Sequence, residues 1–330
     1  MKTAAIGLLF GLTLALVAGS WASESARADN GPHVQNAGAT TDGCAGCHRA
    51  HTGKATGLTV DVQPAICYTC HGATASGATT AVENGTQYTT ITHGAAAGAL
   101  KGGGFATARI MTSDSTLPAT GTTNTGLTNA AVTIGVLTTG TNTSSRHTID
   151  GTSGTMWGAG TTGYGSANSL RCGSCHDPHG NGKFRILRPI PVGSGAATAV
   201  NVAEDTNHAY TTTNYLVANQ GLSAGAAANM NSWCSTCHTR YASGATTGDT
   251  NFNYRHQAQD GSVPGCTTCH VAHGTNAVVT STGPAASVKW PDGTNWSADT
   301  STPALAAGAS ANSRLLRMDN RGMCQKCHNK

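Results

Sequence analysis

Twelve cysteines fall into six Cys-x-x-Cys pairs: Cys44 and Cys47, Cys67 and Cys70, Cys172 and Cys175, Cys234 and Cys237, Cys266 and Cys269, and Cys324 and Cys327. A histidine follows each pair at once, giving His48, His71, His176, His238, His270 and His328. Cys-x-x-Cys-His is the attachment site of a c-type haem: the two sulfurs bond the porphyrin and the histidine takes one axial position on the iron. Zinc ribbons built from paired Cys-x-x-Cys would leave the next residue unconstrained. A disulfide framework would not explain the histidines either, and no cysteine is left over for a nucleophile or a lipid anchor. Six covalently bound haem c groups are the expectation.

The rest of the composition fits a chain that depends on such groups. Aromatics make up 5% of the 330 residues and charged residues 10%, while glycine occurs 43 times. Large rigid side chains are the usual filler of protein interiors, and here they are too few to build a core for this length. The predicted fold class is mostly coil with few short helices and minor strand, wrapped around a continuous chain of haems. Each motif should form one helical turn, and Arg314 to Asn320 could form another. The motifs start at 44, 67, 172, 234, 266 and 324, with no fixed period, which excludes a simple repeat array. The longest gap contains GTTNTGLTNAAVTIGVLTTGTN, around Thr138, read as a surface loop with a strand or hairpin as the alternative.

Residues 1–28 read as a signal peptide: Lys2, an apolar run from Ala4 to Val17, then small residues with cleavage after Ala22 or after Ala28. The run is short for a membrane span. Residues 29–330 are treated as a single hexahaem cytochrome unit, exported before it receives its haems. Each haem adds about one negative charge once its propionates ionise, so six of them turn a chain of formal charge +4 net negative. No basic run argues for nucleic acid.

Eight histidines remain for six distal axial positions: His33, His51, His93, His147, His179, His208, His256 and His273. Three share one offset. His51 follows His48 by three in CAGCHRAH, His179 follows His176 in CGSCHDPH, and His273 follows His270 in CTTCHVAH. Residues three apart project from one side of a helical turn, separated by a rise of about 4.5 Å, so they cannot take opposite faces of one porphyrin. The second histidine of each must reach the iron of a different haem. His147 in SSRH and His256 in NYRH each follow an arginine and are read as distal ligands, as is His93 in TITHG. His33 is the alternative, and His208 is read as a surface residue.

The order CAGCHRAH, CYTCHG, GGGFATAR, SSRH, CGSCHDPHG, SWCSTCHT with NYRH, CTTCHVAHG and MCQKCHNK resembles the six-haem outer-surface c-type cytochromes that polymerise into extracellular nanowires, from about Asp42 to Lys330. That resemblance implies little regular secondary structure, haems alternating between parallel-stacked and T-shaped contacts, and an inter-subunit bond. The bond would run from His51 to the haem of Cys266, Cys269 and His270 in the next protomer.

The expected function is long-range extracellular electron transfer by a chain that polymerises head to tail, with no substrate turnover of its own. Its partners would be further copies of itself, a redox donor at the cell surface, and an acceptor such as a metal oxide, an electrode or another cell. Two rivals stand beside it: a soluble periplasmic shuttle, and a multihaem reductase, which needs an open axial position. Bis-histidine ligation fills both positions, and the supply of histidines argues against the reductase.

Overall fold

A computed structural model of the protein describes His33 and residues 41–108, 141–159, 163–203, 224–241, 265–277, 279–280, 309–310 and 315–317. The expected leader lies outside these residues, as does most of the Thr138 stretch. So do the sixth motif, with Cys324, Cys327 and His328, and the two histidines His208 and His256.

The described chain is mostly coil. Its helices are α1 (Thr41–Cys47), α2 (Ala65–His71), α3 (Cys172–Cys175), α4 (Ala224–Cys234) and α5 (Cys266–Cys269). All five carry motif cysteines, because a helical turn brings residues three and four apart to one side. In the fourth motif the helix ends at Cys234 and the attachment residues follow in a turn. Leu315 to Arg317 do not form the helical turn expected there. Leu316 forms an antiparallel bridge with His270, and the Arg317 N–H donates to the Cys269 carbonyl at 3.0 Å. The backbone of this short segment is thus used by its neighbours, with the Leu315 N–H donating to the Ser145 hydroxyl at 2.7 Å and the Leu315 carbonyl accepting from Val271 at 2.9 Å. Among the described residues no helix is long and apolar enough to cross a membrane.

Strands are short: β1 (Thr80–Ala81), β2 (Thr86–Tyr88), β3 (Ala96–Ala99), β4 (Thr107–Ala108), β5 (Thr141–Asn142), β6 (Ser145–Arg146), β7 (Ser153–Ala159), β8 (Gly163–Ser169), β9 (Gly274–Thr275), β10 (Val279–Thr280) and β11 (Ala309–Ser310). Strands β1, β2 and β3 form an antiparallel sheet, and β7 pairs with β8 as a hairpin. Strand β5 closes on β4, so the end of the Thr138 stretch is a strand.

Two pairings organise the centre. Strand β6 pairs with β9, setting Ser145 opposite Thr275 and Arg146 opposite Gly274. Gly103 bridges Gly274 in parallel. Segments GGGF, SSRH and HVAHG, far apart in sequence, therefore meet at one place. Glycine is required there: Gly103 has φ of +77°, and a Cβ on it would run into the Gly274 carbonyl. Ser144 is 1% exposed, and its hydroxyl lies against the carbonyls of Thr275, at 3.1 Å, and Ala277.

The apolar core among the described residues is small. Phe184, Leu187, Val202 and Met230 pack together with Trp233 and Cys234 against them. The most deeply buried side chains are largely polar ones, among them Thr86, Gln87, Ser144 and Thr275. Side-chain burial alone does not hold this fold, in keeping with its composition.

Candidate haem-binding sites

The cysteines of the first five motifs are all free of disulfides, which leaves both sulfurs of each motif open to a porphyrin. Cys44 and Cys47 are exposed on α1, while Cys67 and Cys70 are half-buried on α2. The Cys70 sulfur faces Gly77, where a Cβ would stand 3.0 Å from it. A glycine at that place keeps the sulfur unobstructed.

Successive motifs are tied to one another by amide side chains. Gln63, four residues before Cys67, accepts the Gly173 N–H at 2.7 Å through its side-chain oxygen, while its carbonyl accepts from Arg171 at 2.8 Å. Asn231, three residues before Cys234, accepts the Cys266 N–H at 2.8 Å. Both bonds satisfy donors at the start of a helical turn that have no partner within it. In this way the second motif caps the third and the fourth caps the fifth.

The thiols follow the same pairing. Cys67 hydrogen-bonds Cys172, which favours the proton on Cys67 and the thiolate on Cys172. Cys234 and Cys266 are matched likewise, with Cys234 keeping the proton. Burial pushes the Cys175 thiol up to about 11, with the charge of Cys237 adding to the effect. The motifs thus adjoin in sequence order from the second to the fifth.

Among the described residues, histidines face one another in four pairs. Ring centroids are 6.1 Å apart for His48 and His179, 6.2 Å for His71 and His33, 6.3 Å for His176 and His273, and 6.2 Å for His238 and His147. Imidazoles bonded at about 2 Å to opposite sides of one metal ion have their centroids about 6 Å apart. The spacing therefore fits an iron between each pair, with one motif histidine and one non-motif histidine as axial ligands. The planes lie 9°, 19°, 67° and 50° apart in the same order.

Tautomers agree with that fit. A backbone carbonyl only accepts, so a ring nitrogen bonded to one must carry the proton, leaving Nε2 its lone pair. His48 donates from Nδ1 to Gly57 at 2.7 Å, His33 to Pro178 at 2.7 Å, and His147 to Ala272 at 2.7 Å. His71 donates to Thr80 at 3.1 Å and His176 to Arg185 at 2.9 Å. Arg185 has φ of 52°, a conformation costly for a side chain of its size and one met at functional sites. Nδ1 of His179 lies 3.7 Å from the Asp177 carboxylate.

The two offset histidines in these pairs face a different motif from their own. His179, of the third motif, faces His48 of the first, and His273, of the fifth, faces His176 of the third. His51 is exposed and makes no hydrogen bond or ring contact with any described residue. His93 differs from the sequence reading. It stacks on Tyr88 at 4.1 Å, its Nδ1 is 3.3 Å from the Ala73 carbonyl and its Nε2 is 3.1 Å from that of Ala78, so neither nitrogen is turned toward a partner histidine. The place opposite His71 belongs to His33. The sequence offered His33 only as the alternative ligand and did not place it opposite His71, which it reaches only through the fold. The sixth site, on Cys324, Cys327 and His328, and the expected distal ligand His256 lie outside the described residues.

Burial keeps the inner rings neutral. His71, His147 and His176 are all held below the ordinary histidine value by desolvation, and His273 is lowered to about 3 by burial and then by the charge of His176. A neutral imidazole is the form that binds iron.

The family described as "Doubled CXXCH motif" matches residues 36–76, the first two motifs. No curated protein and no solved structure matches the chain. Paired attachment motifs, with histidines facing each other across the span of a metal ion, make this chain similar to multihaem c-type cytochromes; the motifs imply covalently bound haem c and, with it, electron transfer.

Proposed function

We propose that the chain is a secreted six-haem cytochrome that assembles head to tail into a filament and carries electrons from the cell to outside acceptors. The observation behind this reading is the set of four facing histidine pairs on adjoining motifs, with His51 left exposed beside the first. In the four facing pairs the chain's own residues would hold an iron from both sides, and with His51 of a neighbouring copy on the fifth and His256 on the sixth no axial position would stay open for a substrate. Bound haem supplies one-electron chemistry. Close packing of motifs, enforced by Gln63, Asn231 and the bracket histidines, brings neighbouring groups within transfer range.

In this reading the distal ligands are His33, His147, His179 and His273 within the chain, and His256 serves the sixth motif, whose sulfurs are those of Cys324 and Cys327. His51 bonds the haem of Cys266, Cys269 and His270 in the next copy. Such an interface is heterologous and propagates unless rotation closes it. The partners are a donor at the cell surface and an acceptor such as a metal oxide, an electrode or another cell.

The test is negative-stain electron microscopy of material sheared from producing cells, with haem staining of the same fraction. Long haem-positive filaments are the expected result. Small particles with every haem low-spin would replace the filament with a periplasmic shuttle.

A further inference from the structure

Among the facing rings, His273 is held unlike the five whose Nδ1 donates to a backbone carbonyl. Its Nδ1 is buried and makes no hydrogen bond, although the Gly103 backbone lies near enough to favour a protonated ring. In place of a carbonyl anchor it has the Phe105 ring, stacked at 4.7 Å and 26°. Gly102 closes the other approach: its carbonyl takes the His273 N–H at 2.7 Å, and a Cβ on it would lie 2.9 Å from Nδ1.

Phe105 is itself fixed. It is 8% exposed, its N–H donates to Val82 at 2.9 Å, and its carbonyl accepts from Arg146 at 2.8 Å and from Thr143 at 3.2 Å. The ring therefore has little freedom to slide off the imidazole. The pair it controls is the most strongly crossed of the four, at 67°.

We propose that Phe105 is a positioning residue for His273: by stacking, it holds the ring crossed against His176 where His33, His48, His71, His147 and His176 use a carbonyl hydrogen bond, and this sets the haem of Cys172, Cys175 and His176 apart from the one between His33 and His71. The proposal rests on the bis-histidine reading above. A hydrogen bond from Nδ1–H makes the ligand more basic. A ring without one donates less to ferric iron, so this haem has a more positive potential than the one between His33 and His71, whose rings both donate to carbonyls. Crossed imidazole planes direct their π orbitals at two different iron d orbitals, whereas near-parallel planes load one, and the two cases differ in electron paramagnetic resonance.

The experiment uses the full holoprotein with Phe105→Leu and, separately, Gly102→Ala, which keeps the phenyl ring but crowds Nδ1. Haem content, resonance spectra and a redox titration are measured beside the wild type. Expected in both variants are full haem content, a change confined to one crossed-plane low-spin signal, and a shift of one haem potential with the others unchanged. Phe105→Leu and Gly102→Ala proteins with every signal and potential unchanged would overturn the positioning role. If Phe105→Leu loses haem, Gly102→Ala decides alone. A wild type lacking any crossed-plane low-spin signal would instead sink the bis-histidine reading, independently of either variant.

Discussion

Removing the His33 ring takes away the group 6.2 Å from His71, while removing His93 leaves every facing pair intact. His33→Ala should therefore leave all haems attached but convert one to high-spin, seen as a shift of part of the Soret and charge-transfer bands. His93→Ala should keep every haem low-spin, and cost about 1 kcal/mol of stability through the lost carbonyl bonds. Acid should also act on the pair of His176 and His273. The pKa of His273 lies near 3, against an ordinary 6.5, and His176 is also lowered, in each case chiefly by burial. A detached ring takes up a proton between those values and a seated ring does not. Stability from this pair is thus complete above about pH 6.5 and declines as pH falls through the window toward 3. On acid titration the haem between His176 and His273 should turn high-spin only as pH falls through that window. A low-spin signal from it already lost above about pH 6.5, read from absorbance changes, would contradict this account.

At the scale of elements, the junction of GGGF, SSRH and HVAHG is the part most sensitive to small changes. Gly103→Ala must hold φ of +77° and push against the Gly274 carbonyl, and we expect a loss on the order of 2–4 kcal/mol in denaturant unfolding. Asn231→Ala is milder. It strips one acceptor from the Cys266 N–H and should cost about 1 kcal/mol, with lowered haem occupancy at the fifth motif in peptide mass mapping. Helical turns at the motifs were legible in the sequence because Cys-x-x-Cys-His demands them. The hairpin of β7 and β8 was not: SGTMWGA and GYGSANS lack the alternation of apolar residues by which a strand is read. That a bracket histidine serves another haem could be derived because three residues cannot span a porphyrin, although the backbone at His176 and His270 is extended and not the helical turn expected there. The exchange of His93 for His33 could not, because it depends on where residue 33 docks, at the Pro178 carbonyl, 145 residues away. Likewise GGGF stood out in the sequence, yet its use, a Phe105 stack on His273, is a tertiary fact.

For the whole molecule the question is how one chain meets the next. Three offset histidines share a single design, and two of them reach across to another motif within the chain. His51 has the same offset but stays exposed, so the same device turned outward would join two copies. The loop that follows exposes apolar side chains, Leu58 at 53% and Val62 at 49%, which gives a contacting surface something to bury. A single iron–imidazole bond per interface would make assembly depend on that ring. His51→Ala should leave haem content unchanged and create one high-spin haem per protomer, because the accepting haem loses its sixth ligand. It should also abolish filaments, so that the protein elutes at monomer size. Added imidazole should restore the low-spin spectrum of the variant without restoring length, since free ligand fills the coordination site but links nothing. A His51→Ala protein that still polymerises would place the link between subunits elsewhere.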